Sequence, residues 1–162
     1  MAFDVKIQIK KSFTVPADIN TVYQLLADVP ASTSHFPDLD NLIEEAANTY
    51  RWEMKKLGLG PVNLQTIYAC EYLCNEEKKS VTWEPRNTLD NNAIVSGKWI
   101  IKESVSGCDI TLLTDAVMTI PLPSLAGIAL KPVVKAEFET LTVRYIKNLS
   151  KTLSKIENKV TA

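Results

Sequence analysis

The chain opens on strict alternation. In "DVKIQIKKSFTV", Val5, Ile7 and Ile9 fall on one side and Lys6, Gln8 and Lys10 on the other, which predicts a half-buried strand. Pro16, which cannot donate to a ladder, ends it. The period then changes. In "ADINTVYQLLADV", Ile19, Val22, Tyr23, Leu25 and Leu26 recur at helical spacing. Asp18 stands where an N-cap belongs, and Pro30 supplies a stop. The proline- and serine-rich "PASTSHFPDL" that follows has room for one short helix.

From Leu39 to Ile120 the pattern is strand after strand. "LIEEA" is short. "TYRWEMKKL" sets Tyr50, Trp52 and Met54 against Arg51, Glu53 and Lys55, and Gly58, Gly60 and Pro61 predict the turn after it. "VNLQTIYACEYLC" reads as one strand with Val62, Leu64, Thr66, Tyr68, Cys70, Tyr72 and Cys74 on a single face. "SVTWEP", "AIVSGKWIIKE" and "CDITLLTDAVMTI" follow, separated by the turns "RNTLDNN" and "SVSG". Strands joined this way build an antiparallel meander with one face available for a core.

The last fifth is helical. Val134, Phe138, Leu141, Tyr145, Leu149, Leu153 and Ile156 form an apolar stripe that most of the charges avoid. From Pro132 the spacing predicts about 27 residues, or about 40 Å at 1.5 Å per residue. A long amphipathic helix is the natural cover for a sheet with one apolar face, and a twisted sheet of six to seven strands must curl around it. The fold class is α+β, with two short helices after the first strand.

Between sheet and helix lies "TIPLPSLAGIALKPVV", Thr119 to Val134, with three prolines and Lys131 as its only charge. Pro121 and Pro123 forbid further ladder bonding. Ser124 is placed to cap a short helical turn, Pro132 to begin or kink the long helix, and Gly127 to make the segment easier to open. Three readings remain for Leu122, Leu125, Ile128 and Leu130: a removable lid, a plug for the end of the core, or a patch that touches membrane while ligand passes. Burying four such side chains in a bilayer surface contributes about 6 kcal/mol or more, at about 1.5–3 kcal/mol each.

Composition narrows the function classes. The 162 residues suit one domain, 1–162, and 46% hydrophobic with 23% charged residues argues against disorder. A net charge of −1 leaves no electrostatic footprint for nucleic acid. Asp4 and Lys6 interrupt the apolar start that a signal peptide needs, and no window reaches the roughly 18 apolar residues of a membrane span. Cys70, Cys74 and Cys108 form no CxxC and suit free thiols in a reducing compartment, so a cytoplasmic location is expected.

Catalytic signals are sparse. His35 is the only histidine, without a cluster at metal-ligand spacing. Glu44–Glu45, Glu76–Glu77, Asp38 and Asp40 sit at strand ends or turns. Asp115 lies mid-strand on the face of Leu113 and Val117, opposite Leu112, Ala116 and Met118. A buried carboxylate there needs a partner or a raised pKa, and Glu103 and Glu84 raise the same question. The nucleophile-elbow, zincin, dinucleotide and phosphate-loop motifs are missing. No catalytic residue, metal or cofactor is assigned.

The aromatics carry more. Trp52, Trp83 and Trp99 come from three strands, with Tyr50, Tyr68 and Tyr72 beside them and Phe138, Leu141 and Tyr145 facing them from the helix. This set reads equally as a packed core or as the wall of a ligand cavity.

The opening "FTVPADINTVYQLLADVPASTSHFPDLDNL", the "YRWEMKKLGLGP" hairpin and the long terminal helix together resemble the START-like, or SRPBCC, superfamily: the polyketide cyclase/dehydrase and lipid-transport group with the helix-grip fold. The resemblance spans nearly the whole chain. It implies a deep, mainly apolar cavity between sheet and last helix, holding a small hydrophobic ligand such as a lipid, isoprenoid or polyketide-like compound. Trp52, Met54, Tyr68, Tyr72, Trp83, Trp99, Met118, Leu122, Leu125, Ile128, Val134, Phe138, Leu141 and Tyr145 are the expected lining, with 121–132 as gate and transient membrane contact. The alternative is a cyclase or dehydratase pairing a tyrosine with Asp115 or Glu103 in the same cavity. A third reading makes the gate segment a permanent protein interface. Oligomeric state is not legible.

Overall fold

The protein's structure, a computed structural model, describes residues 2–59 and 62–161, with side chains at all of these except 59, 62 and 156–161. The expected turn residues Gly60 and Pro61, and the side chains of Val62 and Ile156, lie outside the described residues.

The first strand, β1 (Phe3–Val15), is followed by helix α1 (Ile19–Ala27) and the five-residue helix α2 (Val29–Thr33). Asp18 caps α1 as expected, accepting from the Thr21 N–H at 2.7 Å. Asp28 closes α1 through its backbone N–H and caps α2 through its carboxylate, which accepts from the Ala31 N–H. Pro30 therefore does not stop a helix. It sits in the first turn of the next, where no N–H is required of it.

The strands β2 (Leu39–Ala46), β3 (Thr49–Met54), β6 (Ile67–Asn75), β7 (Ser80–Arg86), β8 (Ala93–Ser104) and β9 (Gly107–Ile120) join β1 in one sheet. Its seven strands run in the order β1-β9-β8-β7-β6-β3-β2, antiparallel throughout. A separate hairpin pairs β4 (Leu57–Leu59) with β5 (Val62–Leu64).

Two expected strands are broken in two. "TYRWEMKKL" divides between β3 and β4, and "VNLQTIYACEYLC" between β5 and β6. The break at Gln65–Thr66 is held by Asn92, whose side chain donates to the Gln65 carbonyl at 2.7 Å and accepts from the Ile67 N–H at 2.9 Å. A single side chain thus satisfies the backbone groups that the ladder abandons.

Helix α3 runs from Ser124 to Thr161, 38 residues, with Pro132 inside it. The sequence places the start at Pro132, so the helix begins earlier than expected. Ser124 is its first residue rather than its cap, because the Pro123 carbonyl accepts the first helical bond, from Gly127 N–H at 3.0 Å. Pro132 leaves the Ile128 carbonyl without its usual donor. Both residues are exposed, and water can fill that role. Among the described residues no helix is long and apolar enough to cross a membrane.

The α3 stripe of Val134, Leu141, Tyr145, Leu149 and Leu153 is buried against the sheet with the inward residues of β1, β8 and β9. Gly127 does not loosen this arrangement. It is buried beneath the Phe3 ring, and a Cβ there would stand 2.5 Å from two ring carbons. We expect Gly127→Ala to destabilise the protein by up to about 2 kcal/mol: overpacking costs about 1–3 kcal/mol, set against roughly 1 kcal/mol gained in helix propensity. Combining it with Phe3→Ala should recover part of that loss in a thermal double-mutant cycle, whereas strict additivity would refute the contact.

Candidate ligand site

Beneath Tyr145, aromatic side chains form a closed circuit. Tyr145 meets Phe36 at 5.2 Å between ring centroids, and Phe36 meets Trp52 at 5.4 Å. The Trp52 indole donates to the Tyr72 hydroxyl at 3.2 Å. Tyr72 meets Trp83 at 5.7 Å, Trp83 meets Trp99 at 6.4 Å, and Trp99 returns to Tyr145 at 5.9 Å. Tyr68 stacks on Trp52 within 16° of parallel.

The circuit encloses a hollow whose lining comes from α1, α2, α3 and the five neighbouring strands β3, β6, β7, β8 and β9. A flat sheet would spread those strands over about 19 Å, so its twist and curl bring them to one place. Gly97 makes the wall thin enough. The Trp83 indole lies over it so closely that a Cβ would stand 2.5 Å from Cζ2.

The hollow measures about 70 Å³. That is room for about two waters and well below the roughly 300–1,000 Å³ of small-molecule sites. Aromatic side chains occupy most of the region. A second hollow of about 100 Å³ lies farther along the same seam, between α3 and the β3–β5 region. A larger groove of about 590 Å³ follows β1 and β9 beside Lys135 and Glu139. The exposed charges of Lys6, Asp115, Lys135 and Glu139 border that groove, so it does not shield an apolar guest.

The expected lining residues divide accordingly. Trp52, Tyr68, Tyr72, Trp83, Trp99 and Tyr145 surround the first hollow, while Met54, Val134, Phe138 and Leu141 line the second. Met118 is sealed in the core, its sulfur accepting from the Thr66 hydroxyl at 3.9 Å. Leu122, Leu125 and Ile128 line neither hollow. Leu122 packs on the core edge, and Leu125 and Ile128 are 86% and 68% exposed. Their helix turn presents Gly127 to the protein, which sends these neighbours outward. The 121–132 segment is therefore not a lid over either hollow.

The sequence reading missed Leu26, Val29, Ser32, Thr33, Phe36 and Thr142, among other lining residues. Thr142 was discoverable, one turn before Tyr145 on the buried stripe. Ser32 and Thr33 were hidden in a segment that looks like a polar turn. They are buried because α2 is clamped to α3: Ser32 and Tyr145 share a short 2.5 Å hydrogen bond. His35 completes the clamp. Its Nδ1–H donates to the Ala31 carbonyl at 2.9 Å, and its Nε2 accepts from the Thr152 hydroxyl at 2.8 Å.

Asp115 and Glu84 are exposed on the outer face of the sheet, whereas Glu103 shares the inner-face register of β8, opposite the buried Cys108, but lies at the strand end, where it is exposed. The expected pairing of a tyrosine with Asp115 or Glu103 inside the cavity is not assembled: strand alternation turns Asp115 outward, and Glu103 stands at the end of β8, outside the lining of the hollow. No carboxylate, imidazole or thiol lines the first hollow among the described residues. Its titratable groups are phenols. Desolvation pushes Tyr68, Tyr72 and Tyr145 above the ordinary tyrosine range and keeps them neutral.

Burial also raises the Cys70 thiol, to about 12, and its Sγ–H donates to the Val95 carbonyl at 3.3 Å. Cys108 is fully buried and likewise raised; desolvation raises the Cys74 thiol as well, but Cys74 is exposed and reagent can reach it. A raised thiol pKa leaves less thiolate to react. At pH 8 we expect an aromatic disulfide reagent to titrate one thiol per native chain and three after denaturation. Cys74→Ser should remove the native reaction, and rapid labelling of Cys70 would contradict this assignment.

No family profile and no curated protein sequence matches the chain. Solved structures do. A Thermus thermophilus protein superposes with a TM-score of 0.69 at 17% identity, over 91% of this chain and 96% of its own. The Zhui aromatase/cyclase of a Streptomyces species gives 0.68 at 17% identity, over 96% of each chain. A START superfamily protein from Mycobacterium smegmatis gives 0.66 at 13% identity, over 92% of this chain and 98% of its own. At these identities the likeness is one of fold. The seven-stranded sheet closed over by α3 is the START-like helix-grip fold.

Proposed function

We propose that the protein binds and carries a small hydrophobic molecule between the sheet and α3, at the hollow ringed by Phe36, Trp52, Tyr72, Trp83, Trp99 and Tyr145. The supporting observation is that closed aromatic circuit around a void lined by tyrosines and tryptophans. A wall of this kind removes apolar surface from water and offers a few polar contacts to orient a guest. The fold's occurrence in an aromatase/cyclase and a START superfamily protein is in keeping with such a role. Catalysis has less support, since the lining titratable groups are neutral phenols.

A guest larger than the present hollow must part the wall, and α2 is the element to move. Thr33 lines the hollow on one side of α2 and a surface cleft of about 330 Å³ on the other. The Ser32–Tyr145 and His35–Thr152 contacts, a hydrogen bond from the Asn148 amide to the His35 carbonyl, and local packing hold this single short helix down. Nile red should bind saturably to the wild-type chain. Thr142→Phe, which fills the hollow from α3, should abolish that binding with little change in melting temperature. Unchanged binding in a folded Thr142→Phe variant would refute the location. Absence of any binding, together with no co-purifying small molecule in native mass spectrometry, would refute the function.

The outward face of the first turns of α3 supports a second role, docking on an anionic membrane surface. Leu125, Ile128 and Val133 are exposed there. Between Asp115 and Glu137 the only charges are Lys131 and Lys135. Inserting Leu125 and Ile128 contributes about 3–6 kcal/mol, at about 1.5–3 kcal/mol each, and each lysine near an anionic surface about 1 kcal/mol. We expect sedimentation with phosphatidylserine-containing vesicles, lost in Leu125→Asp/Ile128→Asp without a change in melting temperature. Equal sedimentation of both proteins would rule this face out.

A further inference from the structure

We propose that the guest is an uncharged compound bearing carbonyl or ether oxygens, rather than a fatty acid, a phosphate ester or a plain hydrocarbon. This inference rests on the reading of the aromatic-walled hollow as a ligand site and specifies the chemistry that site selects.

The argument is a hydrogen-bond inventory of the lining. The Trp52 indole N–H is engaged by the Tyr72 oxygen. Thr33, Thr114 and Thr142 donate to the carbonyls of Val29, Ser96 and Phe138. Ser32 and Tyr145 share one proton between them, which leaves the other without an acceptor. The Tyr72 hydroxyl accepts from Trp52, and its own proton has no recorded acceptor. Among the described residues, the Tyr68 hydroxyl and the indole N–H groups of Trp83 and Trp99 have no protein partner at all. Tyr68, Tyr72 and Trp83 are each 8% exposed, Trp99 3% and Tyr145 7%.

These donors are not sealed into the wall. The one fully occluded side-chain polar atom without a partner among the described residues is the Ser104 hydroxyl. The free donors of the hollow therefore border accessible space. An indole N–H cannot turn into an acceptor, and a buried donor left without a partner costs about 1–3 kcal/mol. A lining with this surplus favours a guest that brings lone pairs.

Charge decides the rest. Lys, Arg and His side chains are missing from the lining, so a carboxylate or phosphate would be buried without a counter-ion, at a cost of several kcal/mol. The same desolvation that holds the lining phenols neutral acts on any anion placed beside them. A hydrocarbon escapes that penalty but leaves every free donor dry.

Chromone, naphthalene, chromone-2-carboxylate and laurate test this by displacement of Nile red. Chromone and naphthalene share size and shape, and only the first carries oxygens. Chromone should compete at least about tenfold better than each of the others and shift the indole N–H resonances of Trp83 and Trp99. Tyr68→Phe should weaken chromone about fivefold, a loss of about 1 kcal/mol, and leave naphthalene unchanged. If Nile red binds but naphthalene, laurate or the carboxylate equals chromone, this inference falls while the ligand site stands. The inference also falls if Tyr68→Phe weakens chromone and naphthalene alike. If neither Nile red nor any of the four binds, the ligand site itself falls and takes the inference with it.

Discussion

Tyr145 is the point at which α3, α2 and the sheet are joined. Its ring touches Phe36 and Trp99, and its hydroxyl meets Ser32. Without that side chain the long helix would lose its contact with the aromatic circuit, and α2 would lose its buried polar anchor. One phenol accomplishes this because it is apolar around the ring and polar at the tip. The apolar body can sit among tryptophans while the tip satisfies a serine that burial would otherwise penalise.

The same chemistry explains why the interior is neither an ordinary core nor an open cavity. An ordinary core of this size would use leucine and isoleucine, which interlock without polar atoms. Here tryptophans and tyrosines bring N–H and O–H groups inward, and bulky rings meeting at steep angles cannot fill the space between them. The outcome is a small void lined by neutral donors. Charged groups are kept out of that lining, on the solvent-facing surfaces of the strands, turns and α3, where solvation is cheap. The interior thus discriminates by polarity as well as by size.

The two ends of α3 have different tasks. From Val134 onward the helix buries one stripe and anchors the fold. Before Pro132 it exposes leucine and isoleucine while Gly127 holds it down against Phe3. Phe3 belongs to the first strand and Gly127 to a turn more than a hundred residues later, so their contact closes the chain on itself. A residue chosen for closeness to a distant ring looks, in one dimension, like a helix breaker.

Periodicity alone determined most of the strands, the first short helix and the stripe on α3. Each follows from the side-chain period of its own element, which a local reading captures. The inward aromatics were also legible, because alternation fixes which face a residue takes. Local pattern could not determine which elements face each other. Ser32 and Thr33 became cavity wall only when α2 was clamped against α3, and Leu125 and Ile128 became surface only when Gly127 met Phe3. Asn92 broke one apparent strand from another loop. These outcomes depend on contacts between residues far apart in sequence, and no window along the chain contains both partners.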